Sequence, residues 1–169
     1  YEYSNDDVNK IINALKKERF YCFEEAAREI FNEFKLKGSN FKTDPIKISK
    51  NILDKRKHDF ESANHIDCRE SVVFYDRGIH EITAYLNSIG KSSIYWDELP
   101  FKYNYDLILL FEPWKEIYKK DENRIENFSD AKKISPFIFE IYRKSGINMI
   151  KVPNFSIEER VKFILKNLP

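Results

Sequence analysis

The residues best suited to do chemistry in this sequence are an aspartate and an arginine that follow a short apolar run. Residues 72–75 lead directly into Asp76-Arg77-Gly78. A carboxylate there can hold Mg²⁺, directly or through water, or take a proton from an attacking hydroxyl, while the adjacent guanidinium can bind phosphate oxygens. In the alternative interpretation Asp76 caps the following helix and Arg77 is its surface partner. The spacing leaves both interpretations open.

A second group of charged residues follows another apolar run, residues 20–23. Glu24, Glu25, Arg28 and Glu29 place acids and a base on the first turns of a predicted helix. The same spacing compensates a helix dipole and forms pairs one turn apart, which is a purely structural role. The position after a strand favours a functional role, so both roles stay open.

A third candidate is Arg124, which lies in a mixed-charge segment between residues 119 and 133. Such a segment can be a mobile lid whose arginine closes over transferring phosphates, or simply a solvated loop. The three histidines, His58, His65 and His80, have no shared metal-ligand spacing and are interpreted as surface or helix residues. No Ser-His-Asp or Cys-His arrangement can be proposed from residue order alone.

Four apolar runs are predicted as the strands that position these residues: 20–23, 71–75, 106–111 and 147–152. Continuous apolar runs are typical of strands covered on both faces, and helices between them indicate a parallel sheet. We therefore predict an α/β fold, a three-layer αβα sandwich with a mostly parallel sheet. Because ligands bind beyond the carboxyl ends of such strands, this topology also selects Glu112, Asn154 and Phe155.

Apolar periodicity and capping signals predict helices over residues 6–19, 24–37, 44–60, 79–89, 131–145 and 156–168. Ser156 and Glu159 form a capping box, and Gly146 stops the helix before it. Pro136 is expected to kink or break that helix. Residues 90–104 are predicted to be a connection with one short helix at most.

Composition limits the class of protein. One domain, residues 1–169, is expected, since a single core usually serves roughly 100–200 residues. The chain is 42% hydrophobic, 15% aromatic and 34% charged, which excludes a disordered protein, and its net charge of +1 gives no global attraction for polyanions. Five basic residues on one helix are diluted by acids and are predicted to be a solvated face: Lys47, Lys50, Lys55, Arg56 and Lys57. Nucleic acid binding is therefore not favoured.

Cysteine use and hydropathy suggest a location. Cys22 lies in an apolar stretch and is predicted to be buried, whereas Cys68 lies in a polar stretch and is predicted to be an exposed thiol. The sequence has no signal-like amino terminus and no apolar run long enough to cross a bilayer. The expectation is a cytoplasmic protein without a membrane partner.

Six segments in chain order carry a family resemblance: Ile12-Asn13-Ala14-Leu15, Glu24-Glu25-Ala26-Ala27-Arg28-Glu29-Ile30, Phe74-Tyr75-Asp76-Arg77-Gly78, Pro113-Trp114-Lys115-Glu116-Ile117-Tyr118, Asp121-Glu122-Asn123-Arg124, and Val152-Pro153 with Glu158-Glu159-Arg160-Val161. Together they resemble the P-loop ATPase/kinase family related to the ribosylnicotinamide kinase domain of NadR-type proteins. That family is similar in fold to thymidylate and adenylate kinases. The resemblance covers nearly the whole chain.

The resemblance implies ATP and Mg²⁺ as cofactors, and a nucleotide and a small molecule as partners. Asp76 would be the Walker-B-like acid at the magnesium ion or the acceptor hydroxyl, with Arg77 on acceptor or phosphate. The other implied roles are acceptor binding by Glu24, Glu25 and Arg28, a lid arginine in Arg124, and an adenine border at Asn154 and Phe155.

The phosphate-binding loop departs from the family. Members carry G-x-x-x-x-G-K-[ST] before the helix that contains Ile-Asn-Ala-Leu, whereas this chain reads YSNDDVNK there. A count without gaps places the phosphate-gripping lysine on Val8 and the magnesium-binding hydroxyl residue on Asn9, and Asp6 and Asp7 would repel phosphate. Three explanations stay open: the loop is lost, Lys10 substitutes imperfectly, or residues of the loop are absent from the sequence as given. As it stands, the core would lack its middle strand.

The predicted function is an ATP-dependent phosphotransferase or ATPase of the nucleoside- or nucleotide-kinase type, acting on a small metabolite. Asn9 and Lys10 are its nucleotide-binding candidates at the first helix. The alternative is a degenerate, non-catalytic nucleotide-binding or protein-interaction domain that has lost its phosphate loop. Spacing indicates neither the phosphate acceptor nor the oligomeric state.

Overall fold

The computed structural model describes residues 5–36, 44–67, 72–111 and 128–169. The helices in these ranges are α1 (Asn5–Lys17), α2 (Ala26–Leu36), α3 (Pro45–Ser62), α4 (His80–Ser88), α5 (Ile94–Glu98), α6 (Phe128–Lys144) and α7 (Ile157–Lys166). Two short 3-10 turns, Ala63–His65 and Leu99–Lys102, follow α3 and α5. Each predicted helix is present, with ends that differ by a few residues.

The strands are β1 (Tyr21–Phe23), β2 (Val73–Tyr75), β3 (Ile108–Phe111) and β4 (Met149–Val152). β1 pairs with β2 in parallel, with Cys22 opposite Phe74. β3 pairs with β4 in parallel, with Leu109 opposite Ile150. The parallel pairing is confirmed, but the described residues form two separate two-stranded sheets instead of one.

Local signals explain three of the helix ends. Asp44 caps α3 by accepting hydrogen bonds from the backbone N–H groups of Ile46 and Lys47, and the capping box predicted for α7 is present. Gly146 ends α6 with a φ of +72°, which glycine adopts without a Cβ clash.

A kink or a break was predicted at Pro136, and the break is wrong, because α6 runs through this residue as one helix of 17 residues. Pro136 lies on the exposed side of α6. The opposite side buries Ile134, Ile138 and Ile141 in a cluster that also contains Ala84 of α4. Packing of that side holds α6 together despite the missing hydrogen bond of the proline.

Helices contact both faces of the strands. Ile11 and Leu15 of α1 and Ile164 of α7 form one apolar cluster with strand residues that include Cys22 and Leu109. On the other face, α4 and α6 pack against Ile108 and Leu110 of β3. Cys22 is buried as predicted, whereas Cys68 lies outside the described residues.

The order and polarity of the helices fix where the carboxyl ends of the strands lie. α1 turns back into β1 through a tight turn closed by a hydrogen bond from Phe20 N to Leu15 O at 3.1 Å, and α7 follows β4 after a short turn. The amino ends of α1 and α7 lie side by side, since Arg160 Nη1 is 3.3 Å from Asp7 Oδ2. All four strands therefore run in one direction, towards the amino ends of α1 and α7.

Candidate functional site

The turn after β2 begins the candidate site. Asp76 N donates to Phe23 O at 2.9 Å, so β1 and β2 stay paired up to this residue. Arg77 then adopts a φ of +75°, in the left-handed region that L-residues other than glycine seldom occupy. Gly78 has no room for a side chain, because a Cβ there would lie 2.7 Å from the Tyr142 hydroxyl oxygen. The turn is therefore strained and tightly packed, as functional turns often are.

Glu25 joins this turn from the start of α2. Its side chain is only 8% exposed, and its Oε1 lies 3.1 Å from Arg77 Nε and 4.0 Å from Arg56 Nη2. Burial would raise the pKa of Glu25, but the guanidinium groups of Arg77, Arg56 and Arg28 outweigh burial and hold it below its usual value. Glu25 is therefore ionised at neutral pH and holds the Arg77 side chain in place.

Asp76 has the opposite electrostatic environment. Burial, followed by the neighbouring negative charge of Glu25, raises the pKa of Asp76 from 3.8 to about 6, although Arg77 opposes the increase. An aspartate with such a pKa exchanges protons close to neutral pH. The pKa of Glu25 is thus lowered and that of Asp76 is raised, although the two residues follow adjacent strands. Neighbouring carboxyl groups with separated pKa values are typical of acid–base sites.

Arg56 of α3 is a site residue that the sequence analysis missed. The prediction of a solvated basic face is wrong at this position, because Arg56 is 5% exposed and its Nη1 donates to Gly78 O at 2.6 Å. The helical spacing could have predicted this burial. Arg56 follows the buried Ile52 and Leu53 by about one helical turn and precedes the buried Asp59 on the same side of α3. Arg56 fixes the backbone of the turn that carries Asp76 and Arg77.

The other two predicted acceptor residues are placed differently. Glu24 is exposed, and its carboxylate pairs with Lys16 Nζ of α1, whose hydrogen bond and charge lower the pKa of Glu24. Arg28 lies one turn into α2, and its buried Nη2 has no hydrogen-bond partner in the described part of the chain. Glu25 therefore contacts the Asp76 turn through Arg77 and Arg28 lies near Glu25, whereas Glu24 is directed towards α1.

A second polar group lies at the amino ends of α1 and α7. Arg160 is 2% exposed, and it donates from Nε to Phe155 O at 2.8 Å while Nη1 pairs with Asp7. The predicted adenine residues, Asn154 and Phe155, are exposed on the turn after β4. The carboxylate of Asp7, which was expected to repel phosphate, is thus engaged with a buried arginine.

The Asp76 turn and α1 border the same cleft. Val8 of α1 and Asp76 and Arg77 after β2 line the same cavity of about 610 Å³. Val8 packs against the α1–α7 apolar cluster. Asn9 is half-buried on α1 and Lys10 is exposed. The amino end of α1 therefore opens onto the cavity that the Asp76 turn borders.

The sequence also matches a known protein family. A model described as an AAA domain matches residues 10–160. The chain belongs to the AAA domain family. It is an AAA-type P-loop NTPase-like domain, a kind of domain that binds nucleotides. Comparison with curated proteins and with solved structures returned no significant match.

The carboxylates of the AAA domain can be compared with the ligands that a metal ion needs. In the described ranges no group of three or more His, Cys, Asp and Glu side chains is placed to hold a metal. Mg²⁺ needs fewer protein ligands, because it is usually bound by one or two carboxylates together with waters and phosphate oxygens. Of the described carboxylates, Asp76 ends β2 and lines the cavity, so it would be the candidate to hold such an ion. Its raised pKa would fall when a cation binds.

Two further predictions concern parts of the AAA domain that are described only partly. Arg124 lies outside the described residues, and so does Glu112. Of the predicted lid, residues 119–133, the last six belong to α6.

Among the described residues, no helix has the length and apolar character needed to span a bilayer.

Proposed function

We propose that this AAA domain is an ATP-dependent phosphotransferase or ATPase of the nucleoside- or nucleotide-kinase type, acting on a small metabolite and related to the NadR ribosylnicotinamide kinase domain. The observation that supports the proposal most is the convergence of Glu25, Asp76 and Arg77 at two adjacent strand ends beside the amino end of α1. In the same proposal the two half-sheets belong to one three-layer αβα sandwich.

In this mechanism Asp76 either takes the proton of the acceptor hydroxyl or holds Mg²⁺. A base is most effective when its pKa is close to the working pH, and the value of about 6 suits that task. Mg²⁺, when bound, neutralises the charge of the phosphates. Arg77, whose Nε lies 3.1 Å from Glu25 Oε1, would bind phosphate or acceptor oxygens.

The remaining roles follow from position. Arg28 has a buried Nη2 without a hydrogen-bond partner among the described residues, and this donor suits an oxygen-rich acceptor. Glu24 would reach the acceptor only after releasing Lys16. Asn154 and Phe155 would border the adenine, where the half-exposed ring of Phe155 can stack on a base. Arg124 would be the lid arginine, and Asn9 and Lys10 would lie near the phosphates.

Replacement of Asp76 tests the proposal. Asp76→Asn is expected to lower phosphoryl transfer from Mg·ATP by about 10²- to 10⁴-fold, because the loss of a general base or metal ligand has an effect of this size. The assay measures ADP formation with a panel of nucleosides and related metabolites. Glu140→Gln is the matched control, since Glu140 forms an exposed pair with Arg143 near the carboxyl end of α6 and should leave the rate unchanged. Turnover by Asp76→Asn at the wild-type rate would refute the assignment.

A second candidate function is supported by α1. Val8 stands where the family has its phosphate-binding lysine, and it packs in an apolar cluster. Its neighbour Asp7 is an acid that pairs with Arg160. Neither residue can provide a positive charge for a phosphate. These contacts favour a degenerate, non-catalytic nucleotide-binding or protein-interaction domain. Calorimetric titration with Mg·ATP separates the candidates: the kinase binds and turns over ATP, whereas the degenerate domain binds it weakly and forms no ADP.

A further inference from the structure

The Asp76 turn, residues 76–78, is linked to α4 and α6 by one carboxylate. Glu81 lies in the first turn of α4, and its Oε1 accepts a hydrogen bond from Gly78 N at 3.4 Å. The same oxygen accepts a hydrogen bond from the hydroxyl group of Tyr142 on α6, at 3.2 Å. Glu81 therefore joins the backbone of the turn to a helix that is distant in the chain.

Two tyrosines pack directly against this turn. A Cβ atom at Gly78 would lie 2.7 Å from the Tyr142 hydroxyl oxygen and 3.1 Å from Cε2 of Tyr105. The hydroxyl oxygen of Tyr105 also accepts a hydrogen bond from Ile79 N at 3.1 Å. The backbone after Arg77 is thus in contact with rings from α6 and from the segment before β3, so its position depends on theirs.

A helix-capping role explains part of the geometry of Glu81. Acidic side chains near the amino end of a helix satisfy free backbone N–H groups and interact favourably with the helix dipole. The N-cap residue of α4, Ile79, forms no side-chain cap hydrogen bond, and Glu81 supplies one at Gly78 instead. Capping does not require the hydrogen bond from Tyr142, which fixes the Glu81 carboxylate against α6.

Glu81 also acts on Asp76 through its charge. Burial is the largest cause of the rise in the pKa of Asp76 to about 6, and the negative charges of Glu25 and Glu81 add to it, while Arg77 opposes it. Other titratable or charged groups around the turn come from α3, α4, α6, β2 and the segment before β3: Arg56, Asp59, Tyr75, His80, Tyr105, Asp106 and Tyr142.

The titration of Asp76 is separated from that of the aromatic groups beside it. Burial raises the pKa values of Tyr75, Tyr105 and Tyr142 above the usual value for tyrosine. Burial lowers the pKa of His80 to about 4. A change near pH 6 at the Asp76 carboxyl group therefore reports Asp76 and the charges next to it.

We propose that Glu81 is a positioning residue of the site. With Tyr142 it holds the Asp76 turn, so that Asp76 and Arg77 are presented together to the substrate. Glu81 acts through the backbone at Gly78 and does not need to touch the substrate. This inference rests on the proposed function, since it concerns the reaction of that site. A displacement of about 1 Å in such a site can cost about 10²-fold in rate, so the support of the turn affects turnover.

Three variants separate the hydrogen bonds of Glu81 from its charge. Glu81→Gln keeps an oxygen that can accept both hydrogen bonds but carries no charge, whereas Glu81→Leu has neither. Tyr142→Phe removes the hydroxyl group and retains the ring that stacks on His80. Asp97→Asn is the matched control, because Asp97 is a first-turn carboxylate of α5, a helix outside the site.

Steady-state formation of ADP from Mg·ATP, with the panel of nucleosides and related metabolites, is the first readout. Glu81→Leu should lower kcat by at least about tenfold and change the KM for ATP by less than about twofold, because the turn is displaced. Glu81→Gln should keep kcat within about threefold of wild type, since both hydrogen bonds can form. Tyr142→Phe should fall between these two variants, and Asp97→Asn should match wild type.

The titration of the Asp76 carboxyl group, followed by its ¹³C chemical shift, is the second readout and needs no turnover. Its midpoint should be lower in Glu81→Gln than in wild type, because one of the negative charges that raise the pKa of Asp76 is removed. Asp97→Asn should leave the midpoint unchanged. If Glu81 only caps α4, its replacement lowers stability in urea without changing this midpoint.

Three results would each overturn the proposal: wild-type kcat in folded Glu81→Leu, an equal loss of kcat in Glu81→Leu and Glu81→Gln, and an unchanged Asp76 midpoint in Glu81→Gln. If Glu81→Leu does not fold, Tyr142→Phe replaces it in the comparison: a lowered kcat supports positioning and a wild-type kcat contradicts it. If wild type forms no ADP, the proposed function fails. The titration of Asp76 then decides alone whether Glu81 acts on the turn.

Discussion

At the scale of single residues, the main feature of the site is a carboxylate that destabilises the fold when it is ionised. Folding raises the pKa of Asp76 from 3.8 to about 6, mainly through burial. For an acid with a raised pKa, the stabilising contribution of the protonated form is fully present below pH 3.8 and is lost as the pH rises through 6. Above this range the ionised group costs up to about 3 kcal/mol.

Asp76→Asn should therefore stabilise the protein while it lowers activity. We expect the free energy of unfolding to rise by about 1–3 kcal/mol at neutral pH, because the variant has no charge to bury, and to be nearly unchanged at about pH 3. Urea denaturation at the two pH values measures this difference. Unchanged or lower stability at neutral pH would contradict the buried environment of Asp76.

The backbone of Arg77 makes a separate prediction. Its φ of +75° suits glycine, whereas a Cβ in this region costs about 1–2 kcal/mol. Arg77→Gly and Arg77→Ala both remove the ion pair with Glu25, so their difference reports backbone strain offset by the larger unfolded-state entropy of glycine. The glycine variant should be more stable than the alanine variant by about 1 kcal/mol in urea denaturation. An alanine variant that is more stable than the glycine variant by about 1 kcal/mol would exclude strain at this turn.

The sequence predicted part of this site and missed another part for a physical reason. Glu25, Asp76 and Arg77 could be predicted because each follows a strand, and parallel strands end at one edge. Arg56 could not be assigned a role from spacing, although the spacing places it on the buried side of α3. Its partners, Gly78 O and Glu25, come from elements distant in the chain, and only the fold brings them together.

At the scale of elements, the interface between α4 and α6 contains a histidine that must stay neutral. His80 is fully buried and stacks on Tyr142 with ring centres 4.9 Å apart. Neither ring nitrogen has a hydrogen-bond partner among the described residues. Burial lowers the pKa of His80 from 6.5 to about 4, because no neighbouring acceptor compensates the charged form.

A pH titration of stability tests this interface. For a base with a lowered pKa, the stabilising contribution is present above pH 6.5 and is lost as the pH falls through 4. His80→Phe keeps an aromatic ring beside Tyr142 and removes the titration. The difference in unfolding free energy between wild type and variant should shift by up to about 3 kcal/mol in favour of the variant between pH 7 and pH 4. A constant difference would mean that His80 is solvated or hydrogen-bonded.

Elements stabilised by nearby residues could be predicted from the sequence, and those stabilised by packing could not. The helix α7 was predicted with its capping box, because a cap depends on residues three positions apart. The continuity of α6 through Pro136 was not predicted, because it depends on packing against α4. Local signals are thus legible in the sequence, and signals from packing between elements are not.

At the scale of the whole molecule, the sequence predicted parallel strands between helices but not how the sheet divides. Four strands were predicted, and the core was expected to lack its middle strand. Among the described residues, the β1-β2 and β3-β4 pairs are separate, and a cleft lined by β2 and β3 lies beside them. The order of the strands depends on which strand pairs with which, and the apolar pattern of a strand does not identify its neighbour.

The central claim is that nucleotide binds at the carboxyl edge, between the Asp76 turn and the amino ends of α1 and α7. The most direct test is a titration of the protein with Mg·ATP, followed by backbone amide chemical shifts. The largest shifts are expected at Arg77, Gly78 and the first turn of α1, with none at α5, which lies outside the site. Largest shifts at α5 or at the amino ends of the strands, around Phe20 and Leu107, would contradict the claim.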